Sequence, residues 1–275
     1  MGAGILAAMP QYRFVQCDVF AARPLQGNAL CVFTDARGLD DEAMQRIARE
    51  TNLSETTFVT PADRADGHVG VRIFTPGREL PFAGHPVIGT AAVFGHVLPF
   101  DRLTLVTRVG PLEVELEREG DSLGRATMQQ PEPEFTEHPG AAAVCAALGV
   151  SSRPVVIGNN GIAASVTELD DVAQLESLQP DLAALAGAGG SDTVLVYAEG
   201  DPVRVRVFCP AAGIAEDPGT GSAAGVLAAH LGRSIDILQG VEIGRPSEIR
   251  ATAGDGRPPR VGGLVTAVAR GHYVL

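Results

Sequence analysis

The 275-residue sequence is 45% hydrophobic and 20% charged, with 5% aromatics and no Trp. This composition excludes a disordered chain and leaves aliphatic packing to build the core of two modest domains. With 33 acidic residues against 21 basic ones the formal charge is -12, which repels phosphate backbones and anionic lipid, so neither nucleic acid nor a membrane is expected as a partner. Every residue counted as Lys or Arg is Arg. A pyridoxal phosphate aldimine, a Walker phosphate loop, a Schiff-base aldolase of the usual kind and a Ser-x-x-Lys acyl enzyme each name a lysine, and all are excluded.

The four cysteines, Cys17, Cys31, Cys145 and Cys209, show neither C-x-x-C nor zinc spacing, and reduced thiols are expected. The six histidines are scattered without a ligand pattern, so no metal is expected. Residues 1–11 lack a basic stretch followed by a full apolar run, and the expected location is the cytoplasm.

The first expected strand covers residues 13–20, followed by the turn 23–28 and a second strand, 29–33. Asp40 or Asp41 can cap a helix whose apolar stripe is Met44, Ile47 and Ala48, with Asn52 placed for a left-handed end. A strand at 53–59 alternates so that Leu53, Glu55, Thr57 and Val59 share a face. A strand at 69–74 leads through a loop to Gly84-His85-Pro86 and a helix at 87–98, with Pro86 in its first position. Strands follow at 103–106 and 112–116, and the three prolines of 128–140 mark a linker. The second half offers a helix at 141–148, strands at 155–157, 163–166, 193–197 and 203–208, a Gly-rich turn at 187–190, a helix at 223–231 and a last strand at 264–274.

The two halves repeat. Placing Pro86 over Pro218 aligns GHPVIGTAA (84–92) with EDPGTGSAA (216–224), with four identities in nine, and both preceding loops open with Phe-x-Pro at 74–76 and 208–210. Duplication is the preferred reading. The expected domains are 1–125, completed by 262–275, and 126–261.

A helix beginning at Pro, Gly, Thr or Ser offers unpaired N–H groups and a positive dipole end, suited to a carboxylate. Taken alone, Gly219, Gly221 and Gly225 equally suit close helix packing. A dinucleotide site is rejected because ten residues separate Phe208 from Gly219, whereas the Rossmann turn follows its strand closely. Glu55 is the leading acid/base candidate, since burial beside Leu53 and Val59 would disfavour its charged form. His85 and Asp217 hold equivalent places before the two prolines, and the repeat predicts that they approach each other.

RPLQGNAL (23–30), ETNLSETTFV (50–59), RELPFAGHPVIGTA (78–91), EDPGTGSAAG (216–225) and GRPS (244–247) together resemble the phenazine biosynthesis PhzF-like proteins. The resemblance implies an α+β fold like that of diaminopimelate epimerase: two similar domains related by an internal repeat, each a sheet wrapped around a central helix, with the site between them. It implies Glu55 as general acid/base with Ser54 beside it, and His85, Asp217 and Ser222 as substrate-contacting or proton-handling residues. Gly84 and the turn Gly219, Thr220, Gly221, Ser222 would supply backbone donors, and Arg78 or Arg245 would stand at the mouth. Neither Gly-rich turn holds the thiol of the epimerases, so two-thiol racemisation is disfavoured. The implied enzyme is a cofactor-free isomerase of a small carboxylate-bearing substrate, of the 2,3-dihydro-3-hydroxyanthranilate isomerase type, acting as a homodimer. The alternatives are an amino-acid racemase or epimerase with Glu55 and Asp217 as its two bases, and a non-catalytic protein that binds a small acid.

Overall fold

A helix with no exposed residue needs a sheet around it, and Gly84–Gly95 is such a helix: all twelve of its residues are buried. In the computed structural model, which describes residues 9–62, 66–118, 122–254 and 256–275, the chain divides into two units. Met1–Leu25, Ala29–Thr127 and Leu264–Leu275 form the first, and Gln26–Asn28 with Met128–Gly263 form the second.

The first unit runs β1 (Gln11–Val19), β2 (Asn28–Phe33), α1 (Asp41–Thr51), β3 (Glu55–Thr60), β4 (His68–Phe74), β5 (Glu79–Leu80), α2 (Gly84–Gly95), β6 (Arg102–Thr107), β7 (Gly110–Glu117) and β8 (Gly124–Gln129). Parallel β2 and β3, antiparallel β3 and β4, and parallel β4 and β6 form a sheet that β7 extends. α2 packs against β1, β3, β6 and β7. The opposite face is covered by α1, whose Met44, Ile47 and Ala48 meet Cys31, Phe33, Phe58 and Phe74. Asp40 caps α1 by accepting from the Ala43 N–H at 2.8 Å, and Asn52 ends it in the left-handed region at φ 51°.

The second unit contains β9 (Glu134–Glu137), α3 (Ala141–Leu148), β10 (Val156–Asn159), β11 (Ala163–Glu168), α4 (Val172–Ser177) and α5 (Leu182–Gly187). It continues through β12 (Thr193–Ala198), β13 (Val203–Cys209), β14 (Ile214–Asp217), α6 (Gly221–Leu231), β15 (Ile235–Gln239) and β16 (Ser247–Gly254). The start of β17 (Arg257–Val274) pairs with β16 in this unit, while its end pairs with β1 in the first.

The pairings of the first unit recur in order: β11 and β12 are parallel, β12 and β13 antiparallel, β13 and β15 parallel, β15 and β16 antiparallel. α6 packs on β10, β11 and β16, and α3, α4 and α5 cover the other face through Leu148, Leu175 and Leu185. This is the α+β architecture of two similar domains, each a sheet around a central helix. Among the described residues, no helix is long and apolar enough to cross a membrane.

The duplication extends to a buried ion pair. In β4, Arg72 makes a two-pronged bond to Glu79 at 2.8 and 2.7 Å and lies 5.2 Å over the Phe74 ring. In β13, Arg206 does the same to Glu216 at 3.0 and 2.8 Å and lies 5.0 Å over Phe208. The planar guanidinium suits both tasks at once.

Several sequence expectations need correction. The first central helix starts at Gly84 rather than 87, with Ala83 extended before it. Pro86 is its third residue, tolerated because first-turn N–H groups have no partner in the helix. β3 starts at Glu55, and both of its faces are buried, so Leu53 does not share the Glu55 face; it packs with Phe58 on the α1 side. The linker expected at 128–140 contains β9, which pairs with β10.

The two ion pairs predict a difference. The Arg206 and Glu216 side chains are 7% and 8% exposed against 20% and 13% for Arg72 and Glu79. Arg206→Met should therefore cost about 3–5 kcal/mol by leaving a buried carboxylate unpaired, and Arg72→Met distinctly less. Urea unfolding of both variants checks this order, and the double variant Arg206→Met/Glu216→Leu should recover the part due to the stranded carboxylate but not the part due to the Leu175 and Leu178 carbonyls, which accept from Arg206 at 3.1 and 3.0 Å.

Candidate active site

In the first unit, strand alternation and helix position bring two titratable groups together. Thr57 faces α2, since its hydroxyl lies 2.9 Å from that of Thr90. Two residues back along β3, about 6.7 Å, is Glu55 on the same side. Five residues back along α2, about 7.5 Å, is His85. The two meet with His85 Nε2 3.4 Å from Glu55 Oε2, and they are 6% and 9% exposed.

An ionised Glu55 would favour an imidazolium at this distance, but the burial of His85 opposes it more strongly and holds its pKa down to about 3. The imidazole is neutral at neutral pH. Ser54 precedes Glu55 and is half-buried, and Gly84 is the first residue of α2 and buried. Ala83 gives this helix no side-chain cap, and its first turn holds no acidic residue, so its N-terminal dipole faces the Glu55 and His85 end.

In the second unit, Asp217 ends β14 and is 8% exposed. Its carboxylate accepts from Asn28 Nδ2 at 2.9 Å and from the Thr220 hydroxyl at 2.5 Å, and the Gly219 N–H also reaches it. Burial pushes Asp217 above the usual carboxylate range, and these three donors pull it back. Thr220 is the residue before α6, with its hydroxyl committed to Asp217 rather than to the helix. Gly221 and Ser222 form the first turn, their carbonyls accepting from Gln130 Nε2 and Asn160 Nδ2 at 3.0 Å each.

The structure thus groups Glu55, His85, Ser54 and Gly84 in the first unit, and Asp217, Gly219, Thr220, Gly221 and Ser222 in the second. The two candidate arginines differ in their surroundings. Arg245 donates to the Gly27 carbonyl at 3.0 Å and the Gln26 carbonyl at 2.8 Å, which fixes the segment carrying Asn28. Arg78 is exposed in a tight turn closed by its backbone bonds to Thr75.

Sequence reasoning missed Asn28, Gln130, Asn160 and Gln239. Gln239 Nε2 donates to the Asp217 carbonyl at 2.7 Å and to Thr220 Oγ1 at 3.0 Å. Asn28 lay inside the quoted motif RPLQGNAL, where a polar residue at the start of an apolar strand was the available signal.

Register also fixes what the repeat puts opposite the acid/base candidate. Glu55 pairs with Leu30, and its neighbour Thr56 with Phe74. In the second unit Thr193 pairs with Ala164, and its neighbour Val194 with Phe208. The counterpart of Glu55 is therefore Thr193, and only one of the two repeats carries an acid at this place.

A family model described as phenazine biosynthesis-like protein matches residues 17–269. The trans-2,3-dihydro-3-hydroxyanthranilate isomerase of Pseudomonas aeruginosa is 45% identical over 252 residues, covering 88% of this chain and 90% of that protein. The protein of the same name from Pseudomonas chlororaphis is 43% identical over 279 residues, 96% of this chain and 100% of the other. Among solved structures, a phenazine biosynthesis protein of the PhzF family from Enterococcus faecalis matches with a TM-score of 0.84 at 26% identity, over 97% of this chain and 100% of that one. With the repeat, the central helices and the residues at their N-terminal ends all in place, the chain belongs to the phenazine biosynthesis-like protein family and is an isomerase of the PhzF type.

Proposed function

We propose that Glu55 is the single acid/base of a cofactor-independent isomerisation of a small carboxylate-bearing substrate, of the trans-2,3-dihydro-3-hydroxyanthranilate type. Glu55 takes a proton from one ring carbon, the electron pair shifts through the adjacent double bond, and the same carboxyl returns the proton to another carbon, so that nothing is gained or lost. The observation that carries this reading is the buried contact of Glu55 with a neutral His85 at the uncapped end of an otherwise apolar helix. A neutral imidazole can meet the carboxyl in either protonation state, because Nε2 is a donor in one of its two neutral tautomers and an acceptor in the other.

Ser54 and the N–H of Gly84 are assigned to substrate binding. Asp217, with Gly219, Thr220, Gly221 and Ser222, is assigned to contacts with substrate donors, as the family resemblance implies. Thr193 at the counterpart of Glu55 leaves the second unit without a strand acid, so a second base would have to be Asp217. We read the protein as a cytoplasmic homodimer, and sedimentation at micromolar concentration should show a species of two chains.

In deuterated water, turnover should give the isomerised product, labelled at the carbon that gains the proton to the extent that the Glu55 carboxyl exchanges before returning it; label confined to the original centre of unisomerised substrate would indicate racemisation, and neither product nor label a binder. Glu55→Gln should lose about 10²–10⁴ in kcat while keeping affinity for the ligand, measured by calorimetry. Wild-type turnover in that variant would remove Glu55 from the mechanism.

The neutral His85 also gives a stability prediction. A histidine held to about 3 in the folded chain and near 6.5 when unfolded takes up its proton in the unfolded state first. Its contribution is complete above pH 6.5 and is lost as pH falls toward 3. Between pH 6.5 and 5 the loss is about 2 kcal/mol, and His85→Gln should remove that part of the acid dependence of urea unfolding.

A further inference from the structure

Hydrogen-bond polarity around Asp217 can be followed atom by atom. The Gln239 amide is 1% exposed and accepts from the Thr220 N–H at 3.2 Å through Oε1. Its Nε2 donates to the Asp217 carbonyl and to Thr220 Oγ1. The reverse orientation of the amide would set oxygen against the carbonyl and N–H against N–H, so it is excluded.

With one Gln239 proton directed at its oxygen, the Thr220 hydroxyl has a single proton left to place, and that proton points at Asp217 Oδ2, 2.5 Å away. Asn28 is fixed in the same way. Its Nδ2 donates to Asp217 Oδ1 at 2.9 Å and to the Gly219 carbonyl at 3.0 Å, and a flipped amide would oppose two oxygens. Both carboxyl oxygens of Asp217 therefore receive a proton from a group whose orientation is set elsewhere.

We propose that Gln239 is a positioning residue that fixes the direction of the chain Gln239 to Thr220 to Asp217, so that Asp217 serves as an acceptor for a substrate N–H or O–H and not as a second base. The proposal deepens the isomerase reading and rests on it for the substrate contact, although not for the polarity of the chain. The groups reaching the carboxyl are neutral: Asn28, Gly219 and Thr220. From β13 it is faced by Val207. The nearby charges are engaged elsewhere, Glu216 with Arg206 and Arg245 with the carbonyls of Gln26 and Gly27. Burial and these donors oppose each other at Asp217, so removing one donor should move its titration upward.

The test is a carbon-13 NMR titration of the Asp217 carboxyl in the full chain labelled at aspartate and assigned by Asp217→Asn. Thr220→Val, which keeps the shape and removes the donor, should raise the midpoint by about one unit, Thr220→Ser should leave it in place, and Gln239→Met should raise it in the same direction. The acid limb of kcat/KM should move with it, a change that loss of packing alone would not produce. An Asp217 midpoint unchanged by Gln239→Met, or by Thr220→Val should Gln239→Met not fold, overturns the proposal. The titration needs no substrate, so a shifted midpoint in a protein without isomerase activity would instead defeat the functional reading and leave the chain standing.

Discussion

Each unit is organised by one constraint: its central helix is buried at the end where its backbone donors have no helical partners. Water cannot satisfy those groups there, so the protein must place polar side chains against them, and each such side chain must itself be satisfied. In the first unit the polar groups at that end are His85, in the first turn, and Glu55, reaching over from β3. In the second, Gln239 Oε1 accepts from the Thr220 N–H, while Gln130 and Asn160 are donors and bind the Gly221 and Ser222 carbonyls of the same turn. The chemistry of the family is built where the fold already requires buried polarity.

The repeats show which parts that requirement fixes and which it leaves open. Arg72 with Glu79 and Arg206 with Glu216 keep the same two-pronged geometry over the same aromatic neighbour. Losing either partner of the second pair would strand a buried charge, whereas in the first Glu79 keeps Arg108 at 2.9 Å and Arg72 keeps Asp41 at 2.6 Å. The helix N-terminal ends have diverged instead, with Glu55 against Thr193 and His85 against Asp217. The threonine in the Glu55 position accepts from the Cys209 thiol at 3.7 Å.

Much of this was legible in the residues, and the rest was hidden for identifiable reasons. Asp40 and Asn52 announced both ends of α1 because capping is local. The proline-centred motifs revealed the duplication because they recur in order. The start of α2 was misplaced because Pro86 marks a first turn without saying which of its positions it holds. Alternation misassigned Leu53 because β3 is covered on both faces, by α1 and α2, and two-sided burial erases the period-two signal. Asn28 and Gln239 stayed invisible because Asn28 lies 189 residues from Asp217 along the chain and Gln239 lies 22, and neither spacing belongs to a local motif.

The two carboxyls illustrate how one fold can give the same functional group two kinds of work. Asp217 is surrounded by donors whose directions are fixed from outside, so its oxygens are held as acceptors and a proton added there would compete with Thr220 and Asn28. Glu55 lies against a neutral imidazole that can give or receive a hydrogen bond. A group that must release and recapture a proton within one turnover needs a neighbour compatible with both of its states, whereas a group that only grips a substrate needs neighbours that favour one. That criterion is the ground for proposing the strand acid as proton carrier and the turn acid as anchor, a distinction that the types and spacing of the two residues alone could not make.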